Sequence, residues 1–73
     1  MTSRLQNTTP KKLIKALKRL GFVIVNIRGS HYIMRRNEVE TCVPYHSHEL
    51  PRHLLMAIIK QAGLTIEDIR QYL

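Results

Sequence analysis

The stretch FVIVNIRGSHYIMRR, residues 22–36, is the part of this sequence that decides the fold. Its first half is rich in β-branched residues and predicts a strand over residues 22–28. Gly29 and Ser30 predict a two-residue turn, because glycine tolerates a positive φ at the first central position. Residues 31–36 return as a second strand, and so short a turn forces the two strands to be antiparallel. The stretch therefore predicts a β-hairpin in which His31 is the first residue after the turn.

The residues that follow extend this hairpin to three strands. Asn37 and Glu38 predict a second turn, and residues 39–43 alternate in the manner of a strand with one covered face. Pro44 ends that strand because it has no N–H for the ladder. Residues 45–50 are predicted to form a loop.

Helices are predicted on both sides of the sheet along the chain. Thr9 caps and Pro10 opens a first helix, whose apolar residues occupy one arc and whose cations occupy the opposite arc. Gly21 ends it with a left-handed residue. A second helix with an apolar stripe is predicted over residues 51–62, and Thr65 caps a short last helix.

These elements predict an α+β fold with two layers. A three-stranded antiparallel sheet is covered on one face by helices, in the order α-β-β-β-α, and a short C-terminal helix follows. This order resembles that of the double-stranded RNA-binding domain. Residues 1–8 are predicted to be a flexible N-terminal tail, and residues 9–73 are predicted to form a single domain. A chain of 73 residues is long enough for one domain only.

Composition predicts a cytoplasmic protein. The single cysteine, Cys42, excludes an internal disulfide and fits a reducing compartment. No apolar run approaches the ~20 residues that span a bilayer, and the first residues lack the apolar stretch of a secretory signal. We therefore expect no membrane partner.

Positive charge is concentrated in the first half of the chain. Residues 1–37 contain nine of the twelve Lys and Arg residues and no acid, whereas residues 38–73 contain all five acids. Neighbouring like charges destabilise a helix, and a merely solvated face normally mixes signs. This imbalance predicts contact with nucleic acid, with an acidic protein as the alternative partner. The cations of the first helix are Lys11, Lys12, Lys15, Lys18 and Arg19.

His31 is the candidate catalytic residue. Gly29 lets a phosphate approach the backbone closely, and Ser30 offers a hydroxyl and an N–H. Nearby cations favour the neutral imidazole, the form that acts as a general base. The alternative is a polar histidine whose ring is hydrogen-bonded to a turn carbonyl. The cations expected near His31, which would stabilise the phosphorane, are Arg28, Arg35 and Arg36.

RNA suits such a site better than DNA does. The 2′-hydroxyl of RNA is a nucleophile beside the scissile phosphate, so a base and a cation suffice and no metal is needed. The carboxylates are not clustered for Mg²⁺ and the Cys and His spacing is not that of a zinc site, so we expect no metal and no small-molecule cofactor. Weaker candidates for protonating the leaving oxygen are His46, His48 and His53.

Three segments together resemble HicA-type toxins of the YcfA family, from bacterial toxin–antitoxin systems. The resemblance covers roughly residues 9–73. The segments are the lysine-rich first helix ending in Leu20-Gly21-Phe22, the turn Arg28-Gly29-Ser30-His31, and Val43-Pro44-Tyr45-His46 followed by Glu49-Leu50-Pro51 and residues 59–65.

This resemblance implies a fold, an activity and a partner. The fold is like that of a double-stranded RNA-binding domain, the activity is metal-independent cleavage of mRNA, and the partner is a HicB-type antitoxin. The resemblance also implies that the histidine of the Gly-Ser-His triplet, His31, is catalytic. Tyr32 stands where many members have a second histidine, and its ring could instead stack on a base.

The sequence therefore predicts a ribonuclease toxin with His31 as its general base or proton shuttle. The alternatives are an RNA-binding module without catalysis and a protein-binding domain with a basic face. The residues predicted to contact RNA are Lys11, Lys12, Lys15, Lys18, Arg19, Arg28, Gly29, Ser30, Arg35 and Arg36.

Overall fold

The computed structural model describes residues 8–46 and 48–73. It confirms the α+β fold with a three-stranded antiparallel sheet of order β1-β2-β3 and a short C-terminal helix. The strand expected from residue 22 begins one residue later, and the third strand includes Pro44. The elements are α1 (Pro10–Arg19), β1 (Val23–Arg28), β2 (His31–Arg36), β3 (Val39–Pro44), α2 (Arg52–Gln61) and α3 (Ile66–Arg70).

Helix α1 begins and ends at the residues that the sequence indicates. The Thr9 hydroxyl accepts from the N–H of Lys12 at 3.2 Å, and Pro10 opens the helix. Gly21 has a φ of +96°. The N–H groups of Gly21 and Phe22 donate to Lys18 and Leu17, which is the Schellman arrangement. This motif turns Phe22 into the core, where it is buried, so β1 starts at Val23.

The core lies between the helices and one face of the sheet. Both α1 and α2 contact β3. Strand alternation places Met34, Thr41 and Val43 on the helix-facing side, and all three are buried. The residues that the helices bury against them are Leu13, Ile14, Ala16, Leu17, Leu55, Ile58, Ile59 and Ala62.

The two edges of the sheet differ. Gln61 of α2 lies against β3, where its side-chain oxygen accepts from the Thr41 hydroxyl at 2.9 Å and from the Cys42 N–H at 3.4 Å. Among the described residues no such cover lies over strand β1, and Val23, Val25 and Ile27 are 46–57% exposed. The pairing of β1 with β2 shifts between Ile24 and Asn26, which leaves Val25 as an extra residue in a bulge.

Thr8 belongs to the folded domain, which corrects the predicted tail by one residue. Thr8 is buried, and its carbonyl accepts from the N–H of Leu50 at 2.7 Å. A residue before the helix is held here because the loop after β3 pairs with it. The rest of the predicted tail, residues 1–7, lies outside the described residues.

Helix α3 is held by a reciprocal cap. Thr65 accepts from the N–H of Asp68 at 3.2 Å, and the Asp68 carboxylate accepts from the N–H of Thr65 at 2.9 Å. That backbone N–H is the main cause of a lowered pKa of Asp68, and the Thr65 side chain and the charge of Arg36 lower the pKa further. In the described part of the chain no helix could cross a membrane.

Arg36 ties the end of α1 to the sheet. Its Nη1 donates to the carbonyl of Leu20 at 2.8 Å, and its guanidinium lies 5.0 Å from the centre of the Phe22 ring. A hydrogen bond that involves a charged group contributes about 1.5–3 kcal/mol. The Arg36→Ala variant is therefore expected to lose about 2 kcal/mol of unfolding free energy, as measured by urea denaturation.

The matched control for this prediction is the neighbouring arginine. Arg35 forms its ion pair with Glu40 at the surface, where side chains are about half exposed. Such pairs contribute less than about 1 kcal/mol, so Arg35→Ala should cost clearly less than Arg36→Ala. Equal losses in the two variants would contradict a structural role specific to Arg36.

Candidate nucleic-acid interface

The turn between β1 and β2 is the centre of the candidate site. Arg28 and His31 pair across it, with Gly29 and Ser30 as its two central residues. Gly29 has a φ of +59°, whereas Ser30 does not have a positive φ, which is the pattern of a type II′ turn. Apart from its two chain neighbours, no described residue has an atom within 4 Å of the position that a Cβ on Gly29 would occupy. Glycine is thus needed for its conformation, and the backbone above it is open to a ligand.

Alanine at position 29 is expected to destabilise the protein by about 1–2 kcal/mol, the cost of a left-handed conformation for an L-residue. Urea denaturation measures the loss. Ser30→Ala is the matched control, because its backbone needs no positive φ, and its effect should lie within about 0.5 kcal/mol of zero. A Gly29→Ala variant as stable as the control would contradict the requirement for glycine in the turn.

His31 lies on the open face of the sheet, opposite to the helices. Side chains alternate along β2, and Tyr32 and Met34 face the helices. His31 therefore faces away from the helices, as do Ile33 and Arg35. His31 is exposed. Its ring has no hydrogen-bond partner among the described residues, so the alternative of a ring bonded to a turn carbonyl is not observed. The imidazole is therefore accessible to a substrate.

Arg28 is the cation that the sheet places beside His31. The two residues are direct partners between β1 and β2, while Pro44 of β3 is the partner on the other side. Side chains of direct partners lie on the same face with Cβ atoms about 4.5–5.5 Å apart. Arg28 is exposed and forms no ion pair with an acid of the described residues. An exposed imidazole and a guanidinium with no acidic partner among the described residues thus lie side by side.

Arg35 and Arg36 do not lie near His31, which corrects the expectation from the sequence. They are four and five residues further along the same strand, or about 13 and 17 Å at ~3.3 Å per residue. The Nη2 atom of Arg35 is 2.6 Å from a carboxylate oxygen of Glu40, and Arg36 bonds the end of α1. Consecutive arginines at the far end of a strand cannot reach the turn at its start.

The five cations of α1 are all exposed. None of them pairs with an acid within residues 8–46 and 48–73. Lys11 and Lys12 lie in the first turn of the helix, which holds no acid. The helix dipole disfavours cations at that end. Their placement therefore opposes helix stability, which fits a surface selected for an anionic partner.

The cations of α1 and the His31 side chain lie in different layers. Helix α1 covers the inner face of the sheet, whereas His31 lies on the outer face. The two groups therefore face opposite sides of the sheet, and a ligand that contacts both must pass around the sheet.

The residues after β3 complete this end of the sheet. The N–H of Tyr45 donates to the carbonyl of Ser30 at 2.6 Å. The rings of Tyr45 and Tyr32 are 4.9 Å apart at an angle of 32°. This contact was not predicted, because it depends on the register that pairs Tyr32 with Val43. From the sequence, the Tyr32 ring could stack on a base. In the structure this ring contacts the ring of Tyr45.

The other histidines are exposed, and none of them belongs to a cluster of metal ligands among the described residues. His46 and His48 lie in the loop after β3, and His53 lies on α2. Within the described ranges, no three His, Cys, Asp or Glu side chains come together in positions that could hold a metal ion. Sequence reasoning missed a different feature, the contact of Arg19 with the ring of Tyr72. Only tertiary packing brings these residues together.

The candidate interface lies within a part of the chain that matches a known protein family. A family model described as HicA toxin of bacterial toxin-antitoxin matches residues 10–64. The match includes the turn with His31 and the whole of α1, and it ends before α3. No curated protein matches the chain.

Proposed function

Since this chain belongs to the HicA toxin family of bacterial toxin–antitoxin systems, we propose that it is an endoribonuclease that cleaves mRNA without a metal ion. The observation that carries the proposal is the exposed His31 beside Arg28, which has no acidic partner among the described residues, at a turn whose backbone is open. A phosphate can approach this turn from outside the protein. The site then offers a proton acceptor and a positive charge to one phosphodiester.

In the proposed reaction His31 acts on the 2′-hydroxyl of the substrate. The neutral imidazole takes the hydroxyl proton while the 2′-oxygen bonds to the adjacent phosphorus. The bond from phosphorus to the 5′-oxygen breaks, and that oxygen takes a proton from the imidazolium or from water. Internal attack of this kind leaves a 2′,3′-cyclic phosphate. Because the nucleophile belongs to the substrate, the protein needs only to orient it and move a proton.

Arg28 is proposed to stabilise the charge that develops on the phosphorane. A guanidinium presents planar donors that match phosphate oxygens. The N–H groups of Gly29 and Ser30 have no acceptor among the described residues, so they are available to the same oxygens. Arg35 and Arg36 are left out of this role, since one is paired with Glu40 and the other bonds the end of α1.

The cations of α1 are proposed to bind the RNA backbone away from the scissile bond. Exposed lysines attract phosphates without regard to sequence. Because they lie in the helix layer, the RNA strand would pass around the sheet to reach His31. Affinity and catalysis would thus depend on different residues.

The antitoxin is proposed to be a HicB-type protein that covers this basic surface. A protein with complementary acidic groups would compete with RNA for the same cations. Such a partner would block the toxin without altering its fold.

Substrates with and without the 2′-hydroxyl test the proposal. We expect purified protein to cut a single-stranded RNA in EDTA and to leave the fully 2′-O-methylated oligomer intact, because methylation removes the nucleophile. Gel analysis of end-labelled oligomers measures both. A protein that binds the unmodified RNA but does not cut it would instead be an RNA-binding module without catalysis. Cleavage of the methylated oligomer would exclude internal attack.

A further inference from the structure

A second candidate binding site lies at the carboxyl end of α1, away from the His31 turn. It is an open cavity of about 700 Å³ lined by Lys15, Lys18, Arg19, Gln71 and Tyr72. Small-molecule sites have volumes of about 300–1,000 Å³, so the cavity is large enough for one. Of the lining residues that the structure describes, three are cations and none is an acid, which favours an anionic ligand. Gln71 and Tyr72 lie beyond the part of the chain that matches the family.

The geometry of Arg19 distinguishes this cavity from an ordinary basic patch. The central carbon of its guanidinium lies 5.3 Å from the centre of the Tyr72 ring. Arg19 is exposed and has no acidic partner among the described residues. An aromatic ring on one side holds a guanidinium plane in position. The exposed side of that plane is then a platform of the kind on which bases of single-stranded RNA stack.

We propose that this cavity binds one unstacked nucleobase of a single-stranded RNA together with its phosphate. The base stacks on the Arg19 guanidinium, which Tyr72 supports from behind. The Gln71 amide can donate to and accept from a base edge, while Lys15 and Lys18 bind phosphate oxygens. An acidic peptide would use the lysines but would have no need of a planar platform. The inference rests on the proposed function and adds the form of RNA that the protein binds.

Affinity for an uncleavable RNA tests the site apart from catalysis. The probes are a fluorescent 2′-O-methylated single strand and an oligomer of the same length and charge that lacks its bases. We expect wild-type protein to bind the first about tenfold more tightly, within the range of base stacking on a side-chain platform. Arg19→Lys keeps the charge but loses the plane, and it should remove this preference without weakening binding of the abasic strand.

Further variants separate stacking from stability. Tyr72→Leu should reduce the preference because the guanidinium loses its support, and Tyr72→Phe should restore it because the ring returns. Arg52→Lys is the matched control, since Arg52 is an exposed arginine on α2 outside the cavity. The Arg52→Lys variant should bind the base-containing and abasic strands with the same affinities as wild-type protein.

Two results would overturn the inference. One is equal affinity of wild-type protein for the base-containing and abasic strands, and the other is an Arg19→Lys variant that retains the preference. Cleavage is scored separately, so the two proposals fail separately. Cleavage without a preference for the base-containing strand would support the proposed function and contradict the base-binding site. A preference without cleavage would support the base-binding site and contradict the proposed function.

Discussion

Replacing His31 with alanine is expected to lower the rate of RNA cleavage by about 10²–10⁴-fold, the contribution of a positioned general acid or base. The loss follows from the exposed ring beside Arg28, which no other histidine of the described residues shares. Single-turnover cleavage of an end-labelled RNA measures the effect. Growth arrest on induction of the wild type, and its absence in the variant, measures the same step in cells.

The His31→Ala protein should remain folded and should still bind RNA. The ring is exposed and has no hydrogen bond among the described residues, so stability should change by less than about 0.5 kcal/mol. His53→Ala is the matched control, because His53 is also exposed but lies on α2. Retained cleavage in the His31 variant, or an equal loss in the His53 variant, would remove His31 from the mechanism.

RNA affinity is expected to fall about 50-fold between roughly 50 and 200 mM salt, if each of the four α1 lysines contacts one phosphate of a single strand. Each such contact contributes a slope of about 0.7 in a plot of log affinity against log salt. The cations are exposed and unpaired by acids of the described residues, so no internal ion pair must be broken for binding. Anisotropy titrations of an uncleavable RNA at several salt concentrations measure the slope.

Neutral variants of the helix identify which cations contribute. Replacing Lys11 and Lys12 together with Gln should reduce the slope by about 1.4 and leave the helix intact, since Gln is a good helix former. The control pair Arg52→Gln and Lys60→Gln removes the same charge from α2 and should leave the slope unchanged. If the affinity of the wild-type protein does not change with salt, α1 is not the RNA contact. If the α1 and α2 pairs of substitutions reduce the slope equally, the contact is not confined to α1.

The strongest local signals in the sequence correspond to observed structure. Thr9-Pro10 and Gly21 mark the ends of α1, and Gly29-Ser30 forms the predicted turn. These signals are reliable because each depends on the backbone of two to four neighbouring residues. A cap, a left-handed glycine or a two-residue turn is favoured before any tertiary contact forms.

The arginines show where local reasoning fails. Arg28, Arg35 and Arg36 all lie within a few residues of His31 in the sequence, yet only Arg28 is its partner across the sheet. Arg35 and Arg36 lie far from His31 because they are on the same extended strand, in which each residue adds about 3.3 Å. Arg28 lies next to His31 because the two residues pair across strands β1 and β2. The register decides which cation is available to a phosphate.

The amino-acid sequence by itself determined the order of elements, the turn that presents His31 and the basic arc of α1, since each follows from local periodicity and backbone preference. Only the tertiary structure decided on which face of the sheet His31 lies. Strand β2 has apolar residues in both alternating positions, Ile33 on one face and Met34 on the other, so its own pattern does not select a face. The packing of α1 and α2 buries Met34 and leaves His31 exposed. The same packing brings Tyr72 under Arg19, because contacts between distant residues depend on how the layers pack.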